Sequence, residues 1–153
     1  MTVMKKASQK AGFTLVELLV AIGIFGVLVA ITIVAINPGR QFSRANNTKR
    51  QSDVTALLDA LGQYSAENSG RLPATITTTN KTVSNTGADI CGLLVPNYLS
   101  ALPVDPGTNN GTAISSCAGA YTTNYEVALD ASGRLMVTAP ATELGGAVIT
   151  ATR

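Results

Sequence analysis

Residues 10–25 read KAGFTLVELLVAIGIF and begin an apolar run that continues to Ile36. The 24 residues from Phe13 to Ile36 contain one charged side chain, that of Glu17. At a rise of about 1.5 Å per residue, a helix of this length spans the roughly 30 Å hydrocarbon core of a bilayer. The stretch therefore predicts a membrane-spanning helix with one carboxylate near its start.

A charged side chain inside a bilayer is energetically costly, so Glu17 calls for a positive partner. Lys10 is the nearest basic residue on its N-terminal side, and the eleven residues after Glu17 contain no basic residue. Cleavage after Gly12 would create an α-amino group on Phe13, one helical turn before Glu17 or level with Glu17 of a neighbouring helix. The run therefore indicates a helix that associates with copies of itself.

A short lysine-containing leader that ends in Gly12, followed by Phe13-Thr-Leu-Val-Glu17 and an apolar helix, resembles the class III signal of type IV pilins and type II secretion pseudopilins. The match covers roughly residues 5–36, and the amphipathic continuation to about residue 69 agrees with it. The resemblance implies cleavage by a membrane-embedded prepilin peptidase, methylation of the new Phe13 amine, and assembly on an inner-membrane platform into a helical filament. Glu17 would then meet the Phe13 amine of an adjacent subunit.

Three functions are open on the sequence alone. The preferred hypothesis is a prepilin subunit of a type IV pilus or related filament, built from identical or homologous subunits. The second is a type II secretion pseudopilin. The third, of another class, is an uncleaved single-span, membrane-anchored binding module in which Glu17 is incidental. An ordinary secretory signal is cleaved after its apolar region, whereas the small residue Gly12 lies before it, which argues against the third.

The predicted organisation is a leader at 1–12, a transmembrane or filament-core helix at 13–36, an amphipathic helix at 37–70 and a β-rich head at 71–153. The 117 residues from Asn37 onward are enough for one modest domain. Without the leader the chain has 8 basic and 9 acidic residues, so its bulk charge predicts no DNA partner. We expect a precursor in the inner membrane with a cytoplasmic N-terminus, and an assembled filament that is extracellular or on the cell surface.

Four basic residues complicate the orientation, because Arg40, Arg44, Lys49 and Arg50 follow the apolar helix while three lysines precede it. The positive-inside rule therefore does not choose an orientation. Taken singly, each is expected to lie on a solvated helix face. Pairing with acidic residues of neighbouring subunits, or attraction of an anion such as DNA by the filament, are the alternatives.

The head is expected to be α+β, with a pilin-like long helix packed on a small antiparallel sheet. Asn37-Pro38-Gly39 predicts a kink or short break, since proline lacks a backbone donor. Helical spacing marks one buried stripe, and Gly70 with Pro73 predicts the helix end. The stripe consists of Val54, Leu57, Leu58, Leu61 and Tyr64.

Strand patterns follow in the second half of the chain. Large side chains alternate along residues 121–129, residues 130–133 read as a turn, and residues 134–138 return as a partner strand. Residues 147–152 could add a last strand. Residues 80–87 are expected to be an exposed loop with a short edge strand, and residues 91–99 a short helix or turn.

Cys91 and Cys117 both lie beyond the apolar helix. A cysteine pair in a small exported domain rich in Thr, Asn and Gly most often forms a disulfide, which would also place the head outside the cytoplasm. Two free buried thiols are the alternative.

The composition argues against an enzyme. The chain has no histidine, which excludes a Ser-His-Asp triad, a Cys-His pair and a histidine-containing zinc site. No cofactor is expected. The loop with Asp105, Asn109 and Asn110 is a weak calcium candidate, because it distantly resembles a calcium-binding loop of some major pseudopilins. Its single carboxylate falls short of the usual 6 to 8 oxygen ligands, and its residues are also ordinary turn formers.

Overall fold

The computed structural model describes residues 12–153, so the predicted leader lies outside the described residues except for Gly12. The chain divides between Gly39 and Arg40 into two compact units. Its elements in chain order are α1 (Leu15–Ile36), α2 (Pro38–Glu67), β1 (Lys81–Ser84), α3 (Cys91–Leu94), a 3-10 turn (Asn109–Gly111), β2 (Thr122–Leu129), β3 (Leu135–Ala139) and β4 (Ile149–Thr152).

Apart from Glu17 and Thr32, all residues of helix α1 are apolar or glycine, and the helix is long and apolar enough to cross a membrane. It ends at Ile36 because Asn37 takes the left-handed conformation, with φ 48°. Pro38 then begins α2, where its missing N–H is no loss because the first-turn amides of a helix have no partner within the helix. The predicted break at residues 37–39 is therefore confirmed.

Helix α2 presents an apolar stripe to the head. Val54, Leu57, Leu58 and Leu61 are buried, as their spacing predicts, and Tyr64 packs at the edge of the same cluster. Beyond the helix, Gly70 adopts φ 81° and its N–H donates to the carbonyl of Ser65 at 2.8 Å. This closing turn confirms the predicted helix end.

The sheet is antiparallel, with its strands in the order β1-β2-β3-β4. The hairpin of β2 and β3 pairs Val127 with Val137, and its turn uses Gly133 at φ 77°, as the alternation predicts. The last strand, β4, is also confirmed, although it begins at Ile149 rather than at residue 147. Strand β1 is the short edge strand expected within residues 80–87, but the exposure expected there is wrong for Val83 and Ser84, which are buried.

The core of the head lies between the stripe of α2 and the inward side chains of the sheet. Tyr125, Val127 and Val137 are almost fully buried there, together with Cys91 and Leu94 of α3. Burial of these apolar side chains against one another is the main favourable term for folding the head. The predicted α+β architecture, a long N-terminal helix followed by a helix and a small antiparallel sheet, is confirmed.

Candidate functional site

The predicted processing site is open to solvent. Gly12 and Phe13 precede α1 in non-helical backbone, and the Phe13 side chain is 86% exposed. A Cβ atom added at Gly12 would meet no heavy atom of residues 12–153 within 4 Å, apart from its neighbours in the chain. A larger side chain at Gly12 is therefore compatible with the fold of the described residues.

Thr14 and Glu17 form a capping box at the start of α1. The Thr14 hydroxyl accepts a hydrogen bond from the Glu17 N–H at 3.2 Å, and the Glu17 carboxylate accepts one from the Thr14 N–H at 3.5 Å. These contacts satisfy two amides that the helix itself leaves unpaired. The sequence reasoning missed the role of Thr14, although Thr-x-x-Glu before an apolar run is the signature of this cap.

Beyond Glu17, the surface of α1 is almost entirely apolar. None of its residues is buried, and even Val29, its most covered large side chain, is 45% exposed. Thr32, its other polar residue, bonds to its own helix at the carbonyl of Val29, 2.8 Å away. Such a helix needs lipid or other apolar helices around it.

The four basic residues that follow α1 differ in their burial and in their contacts. Arg50, expected on a solvated face, is 2% exposed, so that prediction is wrong for it. The Lys49 ammonium donates to Asp53 Oδ2 at 2.8 Å and to the carbonyl of Val104 at 3.1 Å. Arg40 and Arg44 lie on exposed positions of α2.

Arg50 is held by two carboxylates that sequence reasoning did not connect to it. Its Nε and Nη2 donate to the two oxygens of Asp105 at 2.7 and 3.0 Å, and its Nη1 donates to Glu143 Oε1 at 3.0 Å. These contacts raise the pKa of Arg50, with Asp105 the largest cause. Arg50 lies one helical turn before Val54, on the same face as the buried stripe, and this spacing could have predicted its burial.

Glu143 fastens a second loop to α2. Its carboxylate also accepts from the Asn46 amide at 2.8 Å, and its N–H donates to Asn47 Oδ1 at 3.0 Å. Hydrogen bonds from Ser43, Asn46 and Arg50 lower the pKa of Glu143. Two loops distant in sequence, around residues 105 and 143, are thereby tied to one helix.

Tyr125 and Asp53 add a further polar contact to the core. The Tyr125 hydroxyl donates to Asp53 Oδ2 at 2.7 Å. Burial, and then this hydrogen bond, raise the pKa of Tyr125 well above its usual range. Tyr125 therefore stays neutral while it packs between the sheet and α2.

The predicted disulfide between Cys91 and Cys117 is present, with a Cα–Cα distance of 5.6 Å. It joins α3 to the segment that leads into β2. The alternative of two free thiols is therefore wrong.

The calcium candidates do not converge on an open site. Both Asp105 oxygens face Arg50, and Oδ1 also accepts from the Gly107 N–H at 2.7 Å. Asn109 and Asn110 lie four and five residues later, in the 3-10 turn. Within residues 12–153, no group of three His, Cys, Asp or Glu residues could hold a metal ion. Calcium binding stays a prediction. A calcium ion would compete with Arg50 for the carboxylate of Asp105.

Comparisons with known proteins concern both the N-terminal site and the rest of the chain. The family model of the prokaryotic N-terminal methylation motif matches residues 7–33, a range that includes Gly12, Phe13 and Glu17. Over 100 residues the chain is 34% identical to "Type II secretion system core protein G" of Klebsiella pneumoniae, an alignment that covers 64% of this chain and 69% of that protein. No solved structure matches the chain.

Proposed function

Because this chain belongs to the type IV pilin and type II secretion pseudopilin family, whose members are structural subunits, we propose that it is a filament subunit made as a membrane-anchored precursor. Prepilin peptidase cleaves it after Gly12, and the new Phe13 amine is methylated. The subunit then leaves the bilayer and joins identical or homologous subunits on an inner-membrane assembly platform.

The observation that carries this proposal is the complete exposure of α1. A 22-residue helix with no buried residue has two environments in which it is stable, lipid and a bundle of similar helices. Gly23, Gly26 and Ala30 supply small side chains where helices could approach closely. Lipid surrounds the helix in the precursor, and neighbouring α1 helices replace the lipid in the filament.

Glu17 gives this bundle its register. In the precursor the carboxylate caps its own helix through the Thr14 N–H. After cleavage, an ammonium group at Phe13 of the adjacent subunit is a stronger partner, because a charge-assisted pair in a low-dielectric core gains more than a neutral amide contact. Because each subunit contributes one such pair, the helices are most stable at the one axial offset that brings Glu17 and the Phe13 amine of the adjacent subunit together.

The head forms the exterior of the filament. Its disulfide supports an oxidising compartment outside the cytoplasm for the head, and with it a precursor whose N-terminus faces the cytoplasm.

The N-terminal motif alone supports a pseudopilus and a surface pilus equally well. The similarity to the type II secretion protein favours the pseudopilus as the filament. The two differ in location. Mass spectrometry of the N-terminus, in sheared surface material and in membranes, separates them. Processed chain starting at methylated Phe13 only in membranes supports the pseudopilin. The same chain in sheared material supports a pilus, and an intact leader in both supports the membrane-anchored module.

The role of Glu17 is tested by Glu17→Gln, which keeps the size of the side chain and removes its charge. We expect normal membrane insertion and cleavage, with filament yield reduced at least tenfold, since about 1.4 kcal/mol of lost pairing already gives that factor. Thr32→Val is the matched control, because it removes the other polar group of α1 and should assemble normally. Normal filament yield from Glu17→Gln would refute the charge-pairing account.

A further inference from the structure

The head contains a cleft to which the filament proposal assigns no role. It has a volume of about 660 Å³, within the range of roughly 300 to 1,000 Å³ that is usual for ligand sites. Its walls come from β1 and the turn after it, from the loop at Thr108 and Asn109, and from the segment that enters β2 at Thr122.

The lining is uncharged and mixed in polarity. Most of its residues carry hydroxyl or amide groups, but apolar atoms, including those of Ile114 and Ala120, make up the larger part of its exposed surface, and none of the described residues lining the cleft is acidic or basic. A charged ligand would therefore lose its hydration without gaining a counter-ion. The cleft favours a neutral ligand that has both hydrogen-bonding groups and C–H surface.

Several of these polar groups are unused within the described chain. Asn85 Oδ1 accepts from the Tyr121 N–H at 3.1 Å, which leaves the amide NH₂ of Asn85 as a donor. The side chains of Thr108, Asn109 and Thr122 line the cleft and have no hydrogen bond to another described residue. Two hydroxyls and two amides can thus both donate to and accept from a ligand.

The walls are held in place before any ligand arrives. The disulfide at Cys117 and the bridge of Ile114 to Leu102 fix one wall. The buried ion pair of Asp105 fixes the loop of Thr108, whose N–H donates to the Asp105 carbonyl at 2.8 Å. A site that is already ordered loses less conformational entropy on binding.

From the neutral hydrogen-bonding lining, its apolar patch and its rigid walls, we propose that this cleft binds an uncharged oligosaccharide. Sugar hydroxyls pair with the side chains of Asn85, Thr108, Asn109 and Thr122, and the C–H face of a sugar ring lies on Ile114 and Ala120. Binding belongs to the individual head, so it is measurable on the unassembled chain and does not depend on the filament proposal.

The test uses the ¹⁵N-labelled full chain in nonionic detergent micelles with a non-sugar headgroup. Chitotetraose, cellotetraose and maltotetraose are titrated to about 10 mM, with tetragalacturonic acid as the anionic comparator. We expect at least one neutral sugar to give saturable shifts of the backbone amides of Thr108, Asn109 and Thr122. The anionic sugar should bind more weakly than that neutral sugar.

Two kinds of variant locate the site. Ala120→Phe fills the cleft and should weaken binding at least tenfold, whereas Ala131→Phe, at an exposed turn outside the cleft, should leave it unchanged. Thr108→Val with Thr122→Val removes two hydroxyls at nearly constant volume and should also weaken binding, while Thr78→Val, another exposed threonine, should not.

Three results would overturn the proposal. They are the absence of saturable shifts with every neutral sugar, binding that Ala120→Phe leaves intact in a folded chain, and tighter binding of the anionic sugar. Shifts confined to β1 on addition of an extended peptide, with none from sugars, would instead identify the cleft edge as a strand-pairing surface.

Discussion

Replacement of Arg50 by methionine should destabilise the head more than any exposed substitution in the same helix. The guanidinium makes a two-bond contact with Asp105, and the two side chains are 2% and 1% exposed. Methionine fills similar space, but it leaves the Asp105 carboxylate buried with one remaining donor, the Gly107 N–H. Removal of one partner from a buried ion pair costs about 3–5 kcal/mol.

That cost is large beside the whole stability of a small domain, about 5–15 kcal/mol. The assay is urea unfolding of the full chain in nonionic detergent, followed by the near-ultraviolet circular dichroism of the tyrosines. With a denaturant slope of about 2 kcal/mol per molar urea, the unfolding midpoint should fall by about 2 M. Arg44→Met, an identical change at an exposed position of α2, should shift the free energy of unfolding by no more than about 0.5 kcal/mol.

The double variant Arg50→Met with Asp105→Leu tests the physical cause. It removes both charges, so no carboxylate is left buried without a cation, and we expect it to recover most of the lost stability. A single variant within about 1 kcal/mol of the parent would refute the reasoning. A double variant as unstable as the single one would show that lost packing, rather than an unpaired charge, causes the effect.

Three further predictions concern pH and the disulfide. Burial, and then the hydrogen bond to Asp89, raise the pKa of Tyr121 to about 12. The neutral phenol therefore stabilises the head fully below about pH 10. Between about pH 10 and 12 this stabilisation is lost, by up to about 1.4 kcal/mol per pH unit. In urea unfolding, the free energy of unfolding of Tyr121→Phe should depend less on pH in this range than that of the parent chain. The pKa of Glu143 is lower in the folded chain than in the unfolded chain, where it is about 4.3. Ionised Glu143 therefore stabilises the fold fully above about pH 4.3, and this stabilisation is lost as the pH falls through the folded pKa. Glu143→Gln should thus make the free energy of unfolding, measured by the same assay, less sensitive to acid. Reduction of the bond between Cys91 and Cys117, 26 residues apart, should lower the free energy of unfolding by about 3.5 kcal/mol in the chain-entropy model, and an unchanged unfolding midpoint with reductant would contradict that value.

Local pattern was a good guide to the secondary structure. The apolar run at 13–36, the break at Pro38, the stripe from Val54 to Leu61 and the β2–β3 hairpin were all predicted, because each is set by neighbours within a few residues. The capping box of Thr14 and Glu17 is equally local, but it was missed, although the spacing of the two residues was enough to find it. By contrast, the expectation that Arg50 is solvated was wrong, because charge at a helical position does not reveal what packs over it.

The sequence by itself determined the long apolar helix, its solitary carboxylate and the α+β plan, since these depend on composition and short-range periodicity. The tertiary structure decided which distant groups meet. Arg50 contacts Asp105 and Glu143, 55 and 93 residues away, and the cleft brings together three segments from different parts of the head. Long-range contacts of this kind follow from how the strands and loops close over α2, and no periodicity along the chain records them.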